Sequence, residues 1–211
     1  MSAFPYTPAE KRADAAVHGI GLLFAAVGGP ALVAAAALRD GPATVAAVAV
    51  YAATLMATIG LSAAYHLNRS PRWREPLRRL DHGAIYLKIA GTYTPFAALS
   101  LPWAVGGWLL TAVWTAAGLG VALKLAAPRR FEIASIPLYL ALGWAGLWVW
   151  ADVTRAISPP ALALLGGGGV LYTAGVAFHL WERLPFHNAI WHLHVLLATA
   201  LMFAAVAIEV V

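Results

Sequence analysis

Cysteine is absent from all 211 residues, which excludes a disulfide framework and any thiolate metal site and leaves only nitrogen and oxygen as metal ligands. Charge is scarce as well. Asp, Glu, Lys and Arg make up 11% of the chain, against about 25% in a typical soluble domain, while 62% is hydrophobic against roughly 45–50%. Such a chain cannot cover itself with polar surface. The first fifteen residues include Glu10, Lys11, Arg12 and Asp14 and hold no short apolar run ending in a small-residue cleavage site, so no cleaved signal peptide is expected. Internal repeats and low-complexity tails are missing too, which points to one bundle.

What is present is a series of long apolar runs: residues 17–38, 43–67, 83–101, 105–126, 133–151, 159–180 and 188–211. Each reaches the roughly 20 residues that an α-helix needs to cross the hydrocarbon of a bilayer. The fold expected is an all-α integral membrane protein, a seven-transmembrane helix bundle spanning residues 17–211 after an N-terminal segment 1–16, with no room for a second domain. The breaks carry turn and helix-start chemistry: Arg39-Asp40-Gly41-Pro42, the arginine-rich stretch 68–79, Pro102, Pro128-Arg129-Arg130, Ser158-Pro159-Pro160 and residues 182–185.

A formal charge of +5 would raise nucleic acid as a partner for a soluble chain, but here the basic residues lie between apolar runs. No nucleic-acid partner is expected. The N-terminal side of the spans carries Lys11, Arg12, Arg69, Arg72, Arg74, Arg78, Arg79, Lys124, Arg129, Arg130 and Arg183, whereas the other side has only Arg39 and Arg155. The positive-inside rule then puts the N-terminus in the cytoplasm and the C-terminus outside, in a multi-pass integral membrane protein. Trp103, Trp108, Trp148, Trp150 and Trp191 fall near span ends, as interfacial anchors do. Pro30, Pro95 and Pro137 lie within spans and predict kinks. The run Gly166 to Gly169, with Gly175, predicts close packing of the sixth span.

Ionisable groups at membrane depth are expensive and tend to mark sites. His66 ends the second span, Asp81 and His82 open the third, and His187, Asn188, His192 and His194 cluster at the start of the seventh. All lie toward the expected cytoplasmic face. Ser62 shares a helical face with His66, and Asn188 with His192, whereas His187 lies about 140° around the helix from His192. Three ligands and a water make a catalytic zinc site, and His66 with His192 form the best ligand pair. Asp81 would orient or deprotonate the water or serve as a ligand, and Ser62 would hold neighbouring hydrogen bonds. For any one of these histidines alone, a solvated or hydrogen-bonded side chain is a sufficient account. The cluster shifts the balance. His18 and His179 sit near cytoplasmic helix ends, where headgroup contact is reason enough for a histidine, and His179 is a reserve ligand. Lys88, two turns into the third span on the face of Asp81, reads equally as a snorkelling side chain and as a functional one.

Ser62-Ala63-Ala64-Tyr65-His66, Leu80-Asp81-His82-Gly83-Ala84-Ile85-Tyr86, Ala90-Gly91-Thr92-Tyr93-Thr94-Pro95-Phe96 and Ala189-Ile190-Trp191-His192-Leu193 resemble, in order and spacing, the progestin and adipoQ receptor family in its bacterial hemolysin III branch. Leu171-Tyr172-Thr173-Ala174-Gly175 is similar too, and the resemblance covers nearly the whole chain. It implies seven helices with a cytoplasmic N-terminus and one zinc held by three histidines beside an aspartate, with His66, His192 and Asp81 at the matching positions. The family's remaining histidine precedes the last by four residues, where this chain has Asn188. His187 turning inward, Asn188, His179 or water would then complete the shell.

The wider superfamily includes alkaline ceramidases, so the resemblance also implies hydrolysis of a lipid or acyl-amide substrate drawn from membrane lipids. Two other classes stand beside that reading: a nonenzymatic receptor or regulator of membrane lipid composition, and an ion-coupled transporter using Asp81, Lys88 and the histidines as relays. A retinal pigment is set aside because the seventh span has no lysine.

Overall fold

Proline and capping chemistry set where the helices of this chain begin. In the computed structural model, which describes residues 6–126 and 132–211, Pro8, Pro42, Pro71 and Pro159 each open a helix. The missing N–H of proline costs nothing there, because the first turn has no carbonyl to bond it to. Helix α1 (Pro8–Arg39) also carries a capping box: Thr7 Oγ1 accepts from the Glu10 amide at 3.2 Å, and the Glu10 carboxylate accepts from the Thr7 amide at 2.8 Å. Helix α1 runs through Pro30 for 32 residues, roughly 48 Å.

The chain continues as α2 (Pro42–Leu67), α3 (Pro71–Pro95), a π-helical turn (Phe96–Ser100), α4 (Trp103–Ala126), α5 (Glu132–Gly143), a 3₁₀ segment (Ala145–Val149), α6 (Trp150–Ala156), α7 (Pro159–Leu180) and α8 (His187–Glu209). Among the described residues there is no β-strand. Six helical stretches are long and apolar enough to cross a membrane, with residues Ala134–Ala156 acting as one despite the break. The expected third span, 83–101, differs from the rest. It starts inside α3, whose first half is polar, and leaves α3 at Pro95 through the π-helical turn. In that polar half the Arg78 and Arg79 guanidiniums hold the half-exposed Glu75 carboxyl down at about 2. Of the basic residues used to orient the chain, Arg129 and Arg130 lie outside the described residues, as does Pro128.

Neighbours in sequence pack together, α1 on α2, α2 on α3, α3 on α4 and α7 on α8, and α1 also packs on α8, closing the bundle. Helix α5 touches α3, α4 and α7 more sparsely. One apolar core joins Ala25, Leu32, Tyr51, Leu55, Ala161 and Val206, and a second joins Tyr86, Ala90, Leu109, Val113 and Ala117. Lipid removes the hydrophobic force between helices, so close approach through small residues matters more. A Cβ on Gly175 would lie 2.9 Å from the His194 Cβ, and one on Gly168 would lie 2.9 Å from the Met202 methyl. These contacts draw α7 and α8 together. The closure of α1 on α8 brings residues nearly the whole chain apart into one place.

Candidate metal centre

Four helices supply side chains to a single buried point. Asp14 and His18, four residues apart on α1, share a helical face. Ser62 and His66 do the same on the last turns of α2, Asp81 sits within α3, and His192 lies one turn into α8 with Asn188 before it. Asp14, His18, Asp81 and His192 are all buried.

The three imidazoles form a tight group. Ring centroids are 4.4 Å apart for His18 and His192, 4.3 Å for His66 and His192, and 5.2 Å for His18 and His66. His192 Nδ1 lies 2.6 Å from Asp14 Oδ1, and His66 Nδ1 lies 3.9 Å from Asp14 Oδ2. On the far side of His66, its Nε2 is 4.0 Å from Asp81 Oδ2. His18 Nδ1 donates to the Asp14 carbonyl oxygen at 2.8 Å. A carbonyl only accepts, so this bond places the proton on Nδ1 and leaves the lone pair on Nε2, which is 3.3 Å from Ser62 Oγ. An ionised Asp14 carboxylate has the same effect on His192, freeing its Nε2.

Asp14, His18 and His192 each offer a ligand atom within 4.8 Å of the other two, a spacing suited to one metal ion. Nitrogen and carboxylate donors buried together are the set that divalent zinc accepts, and the carboxylate–imidazole contact is the usual way such a ring is oriented. The residues present therefore fit a metal of this class.

His66, His192, Asp81 and Ser62, singled out in the sequence, are brought together here. His187 is not. Its Nε2 pairs with the Tyr6 hydroxyl at 3.0 Å and its ring stacks on Tyr6, while its Nδ1 is buried without a hydrogen-bond partner among the described residues. The cause is local: Phe186 holds φ 61° and its amide donates to Glu10 Oε1 at 2.9 Å, so the start of α8 turns His187 toward the N-terminal segment. Asn188 instead turns its amide to His66 Nδ1 at 3.4 Å. His179 packs against Trp191. The pair Asp14 and His18 went unselected in the sequence, although its i,i+4 spacing at the depth of the other polar groups was the available signal.

The residue matches extend across the chain. The family model described as haemolysin-III related matches residues 8–203. The chain belongs to the haemolysin III family. Hemolysin-3 of Bacillus cereus is 37% identical over 197 residues, covering 93% of this chain and 90% of that protein. The hemolysin-3 homolog of Bacillus subtilis (strain 168) is 33% identical over 201 residues, covering 95% and 94%. The monocyte to macrophage differentiation factor of Homo sapiens, at 26% over 166 residues, covers 74% and 67%. No solved structure matches the chain. With six helices able to cross a membrane, this haemolysin III family member is a multi-pass integral membrane protein, and helical spans rather than a closed barrel are the architecture of the bacterial inner membrane.

The centre opens into a cavity of 1710 Å³ that runs along the inside of the bundle. His18, His66, Asp81 and His192 line it together with apolar side chains such as Ile85, Ile89, Leu165 and Leu196.

Proposed function

We propose that this haemolysin III family protein is a membrane-embedded, metal-dependent hydrolase acting on a lipid or acyl-amide substrate. The observation that carries the reading is the convergence of three imidazoles and two carboxylates from four helices at the mouth of an apolar cavity. His18, His66 and His192 would hold one zinc ion, with Asp14 either orienting His192 or joining the ligands. His18 thus takes the place that Asn188 leaves open. Bound there, zinc would supply Lewis-acid polarisation of the substrate carbonyl.

The remaining steps belong to the chain. Asp81, across His66 from Asp14, accepts the proton of the attacking water and returns it to the leaving amine. Ser62, beside His18, donates to the Asp81 carboxylate and steadies it as the base. The apolar walls hold the acyl chain and keep bulk water from the reacting carbonyl.

The same reading takes the second half of α3 with the π-helical turn as a seventh crossing, residues 1–16 as a cytoplasmic N-terminal segment, and the centre as facing the cytoplasm. Membrane lipids are the source of substrate. A second reading, a nonenzymatic regulator of membrane lipid composition, is favoured by one feature: Asp14 with His192, and Asn188 with His66, already pair within the bundle.

Metal analysis of detergent-purified protein, prepared without chelator, decides first. About one zinc per chain in the wild type, lost in His66→Ala and His192→Ala, is expected, followed by turnover of a fluorescent acyl-amide that Asp81→Asn abolishes. Absence of zinc from the wild type would sink the hydrolase; zinc without turnover across lipid amides and esters would favour the regulator.

A further inference from the structure

Lys88 is the one charged residue of the third span that the candidate centre does not use. It lies seven residues beyond Asp81 on the same helix face, about 10 Å further along the axis. Only 7% of it is exposed. Among the described residues no carboxylate comes within ion-pair distance of its ammonium. Its contacts are with one side chain: Lys88 Nζ donates to the Tyr172 hydroxyl at 2.5 Å and stands 5.0 Å from the centre of that ring. Tyr172 in turn lies 2.6 Å from Thr199 Oγ1 on α8. Tyr51 of α2 buries its hydroxyl without a hydrogen-bond partner among the described residues.

An ammonium carries three donors, and Tyr172 takes one. A charge at this depth is costly and is normally matched by an opposite one. Here protein supplies neutral hydroxyls where an anion is called for. Lys88, Tyr172 and Thr199 all line the interior cavity, next to Phe96, Leu165 and Met202. The same cavity is bordered by Trp144, Leu147 and Trp150 of the broken fifth span, which is the least buried of the six apolar helical stretches. That sparse side gives a long apolar ligand a way in from the bilayer.

We propose that Lys88, Tyr172 and Thr199 form an interior anion site that binds the carboxylate of a single-chain amphiphile, with its acyl chain lying in the cavity. One ammonium balances one carboxylate. A phosphate head carries more charge and more water than this pocket of hydroxyls replaces, and a small anion would leave the apolar walls unused. The site is separate from the histidines and binds without the metal, so it stands or falls independently of the hydrolase reading.

The test uses the full chain in a nonionic detergent, with a fluorescent C18 polyene carboxylate as probe and palmitate, its methyl ester, acetate and chloride as competitors. Lys88→Met, which keeps the stem and removes the charge, is expected to weaken probe binding by about tenfold or more, and Lys88→Arg to restore it to within about threefold. In the wild type, palmitate should displace the probe and the ester should not. That comparison needs no variant and decides the matter even where Lys88→Met fails to fold. His66→Ala and His192→Ala should keep probe affinity. Equal binding by wild type and Lys88→Met, or equal displacement by ester and acid, would overturn the site. Displacement by acetate or chloride at palmitate's concentration would overturn the acyl-chain ligand, and loss of binding in the histidine variants would move the carboxylate to the metal centre.

Discussion

His18 donates from Nδ1 to the Asp14 carbonyl oxygen while the Asp14 carboxylate meets His192 at 2.6 Å, so one turn of α1 sets the tautomers of two rings on two helices. Asp14→Asn keeps the backbone carbonyl that sets the His18 tautomer but removes the carboxylate that orients His192. Removing a partner that orients a metal-bound imidazole typically costs 10–100-fold in affinity, and a chelator-competition titration of zinc should show a weakening of about that size. His187→Ala should leave metal content unchanged, because that ring is spent on Tyr6. Zinc lost on changing His187 but retained on changing His18 would reverse the ligand assignment.

At the scale of elements, close approach of backbones carries the packing. A Cβ on Gly91 of α3 would fall 2.9 Å from the Thr54 Cβ of α2 and closer still to its hydroxyl. Gly91→Ala should destabilise the bundle by about 1–3 kcal/mol, the usual cost of overpacking, seen as a lower midpoint of thermal unfolding in detergent. Thr54→Ala in the same chain should recover part of that loss, since the hydroxyl and methyl go but the Cβ stays. If the double variant is no better than Gly91→Ala alone, another contact limits the approach. The fifth span illustrates the opposite condition. It breaks at Gly143 into a 3₁₀ segment before α6, and few neighbours press on it.

Over the whole molecule, α1 closes on α8 and the two ends of the chain share the candidate centre. The absence of cysteine makes orientation simple to measure. Single cysteines at Ser70, in the exposed turn before α3, and at Asp40, in the exposed turn before α2, should label oppositely with a membrane-impermeant maleimide. Intact cells should expose Asp40→Cys alone, and inverted vesicles Ser70→Cys alone; the reverse pattern would turn the protein over in the membrane.

The helical, membrane-spanning character was legible residue by residue, because apolar runs of bilayer length separated by Pro, Gly and Arg permit no other backbone that satisfies its own hydrogen bonds in lipid. Counting along the spans also put His66, Asp81 and His192 at matching helix ends, and the structure brings those side chains together. Angle around the bundle is not countable. Which faces meet depends on how α1 seats against α2 and α8, and on contacts hundreds of atoms apart in the chain. The sequence by itself therefore determined the class of fold, the family motifs and the layer in which polar groups gather. Only the tertiary structure decided that Asp14 and His18 join that layer, that Phe186 turns His187 away from it, and that Lys88 meets Tyr172 and Thr199 without a carboxylate. The physical reason is that a periodic helix fixes height and local face, whereas the packing of small residues between helices fixes which faces look at one another.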